Sequence, residues 1–330
     1  MPQQMLLSSI FEIPLFASTA RTAGLQKLSQ LADFVEEPAE VTSDHAAGVV
    51  ASIAGSSKYT ESFYAAAKEM RVIARWGVGY DQVNVDLATK HGVIVTVTPV
   101  HMSTVAEYTI GQWFAAMKRT YTLNRMAHSG DFGLVKTYEI EGTALGLYGC
   151  GRIGQEVARR ARPLLGDTGR LLLYDLRSDI GDIAARYGAE VANDPRELFE
   201  QSDVVSLHVS GDDTIVNYDL LAAMQPHASV INPSRGNLVN DKDMKRALDE
   251  DKLFYYIVDD PPNGRRDIHV GHPRVICTNH NGGIAEQSVA RLDQTTFQQV
   301  TDVIHGRPPQ HILNTDVLDH PRVKEFLQDE

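Results

Sequence analysis

The run Gly149-Cys150-Gly151-Arg152-Ile153-Gly154 has the spacing Gly-x-Gly-x-x-Gly, and an apolar stretch, Ala144 to Tyr148, leads into it. That pattern suits a phosphate. The first glycine permits a tight turn, the second lets the backbone approach a pyrophosphate, and the third lets the following helix pack close to the sheet. The free N–H groups and positive dipole of that helix then face the anion. Asp175 stands 21 residues beyond Gly154, at the end of the next apolar run. A carboxylate there accepts hydrogen bonds from both hydroxyls of an adenosine ribose and repels a 2′-phosphate. NAD is therefore expected as cofactor in preference to NADP, with Arg177 nearby as the feature that favours some use of the latter.

A nicotinamide moves a hydride, so the protein must supply a proton donor or acceptor and a group that holds the substrate. Arg235, in Asn232-Pro233-Ser234-Arg235-Gly236, and His280, in Thr278-Asn279-His280-Asn281-Gly282-Gly283, each follow an expected strand. A guanidinium binds a carboxylate bidentately, which suits a 2-oxo or 2-hydroxy acid. An imidazole titrates near neutrality and can take a hydroxyl proton or return it. His45, His91, His128, His227, His305, His311 and His320 lie in polar or helical stretches, and the pair His269 and His272 lacks a third ligand, so no metal site is expected.

These turns need a sheet to position them. Short apolar runs alternate with amphipathic ones, as in a parallel sheet covered by helices. Strands are expected at 47–53, 71–75 and 93–97, then at 144–148, 171–174, 204–209, 229–232, 255–258 and 275–277. The apolar stretch Met5 to Phe16 reads as a first strand. Apolar residues at spacings of three and four from Val105 to Tyr121 predict one long helix over 104–125. Further helices are expected at 60–70 and 85–90, from Asp194-Pro195 onward, and at 285–305, where Gly306 stops the last.

The chain has 330 residues, enough for about two domains. A formal charge of −12 disfavours nucleic acid and anionic lipid as partners. Two cysteines cannot build a disulfide framework, and no run of 18 apolar residues exists to span a membrane. No basic residue precedes the first apolar stretch. A cytoplasmic protein is expected on these grounds.

From about Val49 to Val300 the sequence resembles the D-isomer-specific 2-hydroxyacid dehydrogenases. Arg75-Trp76-Gly77-Val78-Gly79-Tyr80-Asp81 is similar to the family's substrate loop, whose backbone amides at Gly77, Val78 and Gly79 would hold the substrate carboxylate. Thr104-Val105-Ala106-Glu107 looks like the start of its interdomain helix, and Leu207-His208-Val209 like the segment beside the cofactor. The resemblance makes Arg235 the substrate-binding arginine, Asp259 the aspartate near the nicotinamide amide, and His280 the acid/base. It extends the cofactor set of Gly149, Gly151, Arg152, Ile153, Gly154 and Asp175 to His208, Pro233, Ser234, Asp259, Gly282 and Gly283. It also implies two Rossmann-like doubly wound domains. A discontinuous substrate domain of residues 1–98 plus 284–330 would receive an NAD domain of residues 99–283, and the chain would form a homodimer.

One departure stands out. The family places a glutamate, hydrogen-bonded to the histidine, five residues after the aspartate; here that position is Gly264. Asp267 is the first substitute carboxylate expected, ahead of ring orientation by Asn263 or Asn281, or of degraded catalysis. Ser210 also replaces a proline usual after the His-Val pair. The expected activity is NAD-dependent interconversion of a small (R)-2-hydroxy acid and its 2-oxo acid. The rival is a dinucleotide-sensing binding protein on the same fold, motivated by the missing glutamate.

Overall fold

In a wholly parallel sheet helices cover both faces, so its strands must read as near-continuous apolar runs. That is how most of the strands here read, and every strand pair among the described residues is parallel. The computed structural model describes residues 3–211, 213–260 and 272–327. The chain divides into two compact units, Met1–His101 with Ile284–Glu330, and Met102–Gly283.

The first unit contains β1 (Gln4–Leu7), β2 (Asp33–Glu36), β3 (Val49–Ala54), β4 (Val72–Arg75) and β5 (Ile94–Thr96), ordered β2-β1-β3-β4-β5. Central β3 is buried at all six residues. The N-terminal apolar stretch is strand only to Leu7, which corrects the longer expectation. Ser8 caps a 3₁₀ turn over Ser9–Glu12, and Pro14, which has no N–H to give a ladder, opens a second. The helix expected over 60–70 runs only Glu61–Ala66, because the chain turns at Ala67 and sends Met70 into the core. Helix Glu286–Ile304 packs Val289, Leu292, Phe297 and Val300 against Met5, Leu28 and Ile53.

Within that core lies a carboxylate. Asp293 accepts from Arg21 Nε and Nη2 at 2.9 Å each and from Trp76 Nε1 at 2.7 Å. The Arg21 guanidinium is in turn stacked 4.6 Å from the Phe11 ring centroid. Three distant segments are thus fastened at one point.

The second unit contains β6 (Ala144–Tyr148), β7 (Arg170–Tyr174), β8 (Glu190–Val191), β9 (Val204–Leu207), β10 (Ser229–Asn232), β11 (Tyr255–Asp259) and β12 (Val275–Thr278). Their order is β8-β7-β6-β9-β10-β11-β12, the dinucleotide-fold order with one strand added. The direction of winding reverses between β6 and β9. Separate apolar clusters cover the two faces of the sheet.

The single helix expected over 104–125 is two, Met102–Met117 and Thr120–His128. Arg119 breaks it with φ +52°. A left-handed residue costs about 1–2 kcal/mol. Its buried guanidinium lies 3.4 Å from the Phe254 ring centroid and donates to His227 O at 2.9 Å, which offsets that cost. No helix among the described residues is long and apolar enough to cross a membrane.

Removing one partner of a buried ion pair strands the other charge, at about 3–5 kcal/mol. Arg21→Ala is therefore expected to lower the unfolding free energy of the first unit by about that much, read by urea titration at pH 7. A loss below about 1 kcal/mol would show that water reaches Asp293.

Candidate active site

The carboxyl ends of the strands in the second unit carry nearly every residue with chemistry to offer. After β6, Gly149 turns at φ +97°, where a Cβ would strike the His208 carbonyl oxygen at 2.5 Å. A Cβ on Gly154 would meet the Gly149 oxygen at 2.2 Å, so the helix Arg152–Ala161 starts directly against the turn. Gly151 differs: a Cβ there meets nothing within 4 Å. The cradle is closed below and open above, and the helix amides face the open side.

Asp175, just past β7, reaches over this turn. Its Oδ2 accepts from Cys150 N at 2.6 Å and its Oδ1 from Arg177 N at 3.0 Å. Each oxygen keeps a further lone pair. Arg177 donates to Cys150 O at 3.1 Å and pairs with exposed Asp179. Burial, with Asp175 beside it, pushes the Cys150 thiol up to about 12, so it is no nucleophile.

His208 follows β9. Its Nε2 lies 2.9 Å from Ser206 Oγ, while Nδ1 is buried with no partner among the described residues. Burial pushes the imidazole down to about 3, so the ring is neutral. An orphaned ring nitrogen beside an open glycine cradle fits a polar ligand such as the nicotinamide dinucleotide, and these residues would hold it.

Pro233 to Gly236 follow β10. Asn232 clamps this turn, accepting from Ser234 N at 3.1 Å and donating to Arg235 O at 2.8 Å; Ser234 Oγ donates to Leu207 O at 2.8 Å. Gly236 N donates to Asp260 Oδ1 at 3.3 Å, which ties the turn to the end of β11. Arg235 is half-buried and donates to Ser234 O at 2.9 Å.

His280 follows β12 and is exposed. It adopts φ +53°, unusual for a residue with a Cβ. Its Nδ1 lies 3.3 Å from Asp259 O. The Asp259 carboxylate accepts from Thr278 Oγ1 (2.5 Å), Asn281 N (2.8 Å) and Gly282 N (2.7 Å). Asp259 therefore grips the histidine turn, a task its place in the sequence did not reveal. Arg235 and His280 stand past strands separated by β11 alone, on one edge of one sheet. Asp267, with Asn263, lies outside the described residues.

Gly77, Val78 and Gly79 belong to the first unit, beyond β4. Gly77 O accepts from Thr98 N at 2.7 Å, and Gly79 O from Arg75 Nε at 2.7 Å. The amides of Val78 and Gly79 have no partner among the described residues, so two donors remain for an anion. Beneath the neighbouring loop, buried Glu37 accepts from Ser52 Oγ at 2.9 Å, from Gly55 N at 3.1 Å and from the Tyr59 hydroxyl. Neither Glu37 nor Asp293 belongs to any sequence motif, because their partners come from far along the chain. Among the described residues no cluster of three metal-ligating side chains occurs.

A family model described as D-isomer specific 2-hydroxyacid dehydrogenase, NAD binding domain, matches residues 110–282. The chain is 30% identical over 270 residues to a glyoxylate reductase of Korarchaeum cryptofilum, covering 77% of this chain and 79% of that protein. It is 29% identical over 272 residues to a D-3-phosphoglycerate dehydrogenase of Methanocaldococcus jannaschii. That match takes in 79% of this chain but about half, 51%, of the relative's length. The structure of a glyoxylate reductase from Paecilomyes thermophila superposes with a TM-score of 0.79 at 22% identity, covering 95% of this chain and 99% of that one.

The two cradle glycines separate fold from binding. Gly151→Ala is expected to keep the melting temperature and weaken NADH binding at least about tenfold, because its methyl fills only the space a phosphate would use. Gly154→Ala should lose both, with about 1–3 kcal/mol of overpacking against the turn. Unchanged NADH affinity in Gly151→Ala, by fluorescence titration, would remove the phosphates from this cradle.

Proposed function

Since this chain belongs to the D-isomer specific 2-hydroxyacid dehydrogenase family and is an oxidoreductase with an NAD-binding domain, we propose that it interconverts a small (R)-2-hydroxy acid and its 2-oxo acid. The observation that supports this most is the shared sheet edge: the dinucleotide turn, the Arg235 turn and the His280 turn follow β6, β10 and β12 of one sheet. When bound, the cofactor accepts or gives the hydride. The chain's own share is to bind and to move a proton. Arg235 offers a two-pronged fork to a carboxylate. His280 Nε2 takes the hydroxyl proton in oxidation and returns it in reduction. A hydrogen bond from Nδ1–H to the Asp259 carbonyl leaves Nε2 as the free base.

We read the cofactor as NAD, because the lone pairs left on Asp175 suit two ribose hydroxyls and oppose a 2′-phosphate. Asp175→Ala should therefore narrow the preference for NADH over NADPH by about tenfold or more, read as the ratio of kcat/KM values. An unchanged ratio would shift the choice of cofactor to other residues.

The proton role is tested by His280→Ala, assayed by NADH oxidation with glyoxylate, pyruvate, hydroxypyruvate and bulkier 2-oxo acids. Removing an acid/base group costs about 10²–10⁴-fold, and kcat should fall in that range while NADH affinity stays. Turnover near that of the unaltered enzyme would defeat the assignment. Tight NADH binding with no oxidation of any substrate across pH 5 to 9 would favour the dinucleotide sensor.

A further inference from the structure

Tyr108 lies in the first helix of the second unit, Met102–Met117, and has no part in the function proposed above. Its hydroxyl oxygen is 2.7 Å from Thr278 Oγ1. Thr278 has one hydroxyl proton and donates it to Asp259 Oδ1 at 2.5 Å. Tyr108 must therefore be the donor to Thr278. Burial holds its phenol well above the ordinary range, so it stays protonated.

This relay ends on the histidine turn. Asp259, the acceptor, also takes the N–H groups of Asn281 and Gly282, the two peptides that directly follow His280. Its backbone carbonyl faces His280 Nδ1 at 3.3 Å. The turn is packed on the same residues: a Cβ on Gly282 would come within 2.8 Å of Asp259 Oδ2 and 3.1 Å of the Tyr108 ring. His280 sits at φ +53° between these fixed points, in a conformation that a residue with a Cβ rarely adopts unaided.

We propose that Tyr108 is a positioning residue for His280, acting through Thr278 and Asp259 to hold the histidine turn in its left-handed form so that the imidazole is presented in one orientation. The proposal rests on the reading of His280 as the acid/base. The relay aims the Asp259 carboxylate at the Asn281 and Gly282 amides. If Thr278 loses its donor, it is free to turn away, and the carboxylate loses the contact that sets its direction. The turn then gains freedom at the point where proton transfer needs geometry good to a fraction of an ångström.

The test uses the full chain with the 2-oxo acid that it reduces fastest. Tyr108→Phe and Thr278→Val should each lower kcat about 10- to 100-fold. NADH affinity should stay within about twofold, and the solvent deuterium isotope effect on kcat should rise as proton transfer becomes limiting. Thr278→Ser, which keeps the hydroxyl, should restore kcat to within about threefold. A general structural role would instead lower NADH affinity along with kcat and leave the isotope effect alone, which would overturn the proposal. Wild-type kcat in both Tyr108→Phe and Thr278→Val, beside an inactive His280→Ala, would overturn it while sparing the acid/base assignment. A fully active His280→Ala would end both. Should Tyr108→Phe fail to fold, the contrast between Val and Ser at position 278 decides alone.

Discussion

A carboxylate taken out of water must be surrounded by donors, and the way Asp259 meets that demand organises the carboxyl edge of the second sheet. It ends β11, which pairs Asp259 with Thr278 in register on β12. From there it collects the Thr278 hydroxyl and two successive amides. Bonds to an ionised acceptor are about twice as strong as neutral ones, which lets the following turn keep a left-handed histidine. Sheet register thus fixes the carboxylate, the carboxylate fixes the turn, and the turn presents the imidazole. Asp260, the next residue, reaches Gly236 and connects the same strand end to the arginine turn.

The first unit solves a similar problem with a different group. Asp293 is wholly buried, and its donors are a guanidinium and an indole rather than backbone amides. The indole belongs to Trp76, the residue that immediately precedes Gly77 in the chain. Arg75 holds the loop through Gly79 O and fastens it to Ala54 O at the end of β3. Both units therefore brace a turn with a buried acid whose own side chain is turned into the protein.

Residues adjacent in the chain were legible in the sequence; residues paired across it were not. Gly-x-Gly-x-x-Gly after an apolar run and before a helix has its meaning in nine consecutive residues, 146–154, and the turn formed where that meaning places it. Four short strands lack a sustained apolar run: β2 and β8, which are partly or wholly exposed, and the pair Glu40–Val41 and Lys58–Tyr59. The break at Arg119 was hidden because apolar spacing continues across it, with Met117 and Tyr121 both packed in the same core. The Tyr108–Thr278 contact spans 170 residues and Trp76–Asp293 spans 217, so no local pattern announces either. The missing glutamate is legible as a gap, whereas the Asp259 carbonyl that lies 3.3 Å from His280 Nδ1 is a backbone group with no sequence signature.

The bond between Arg21 and Asp293 joins residues 272 positions apart, with the whole of the second unit between them. On the ribosome, residues 1–101 emerge first and must wait for the helix that completes their core. At about 5–20 residues per second, synthesis of the 182 intervening residues takes about 10–35 s, ample time for a domain to fold. During that interval the early strands carry an apolar face and an arginine whose buried partner has not yet been made. The continuous unit can thus complete its fold before the discontinuous one, whose core closes only when Glu286–Ile304 has been made.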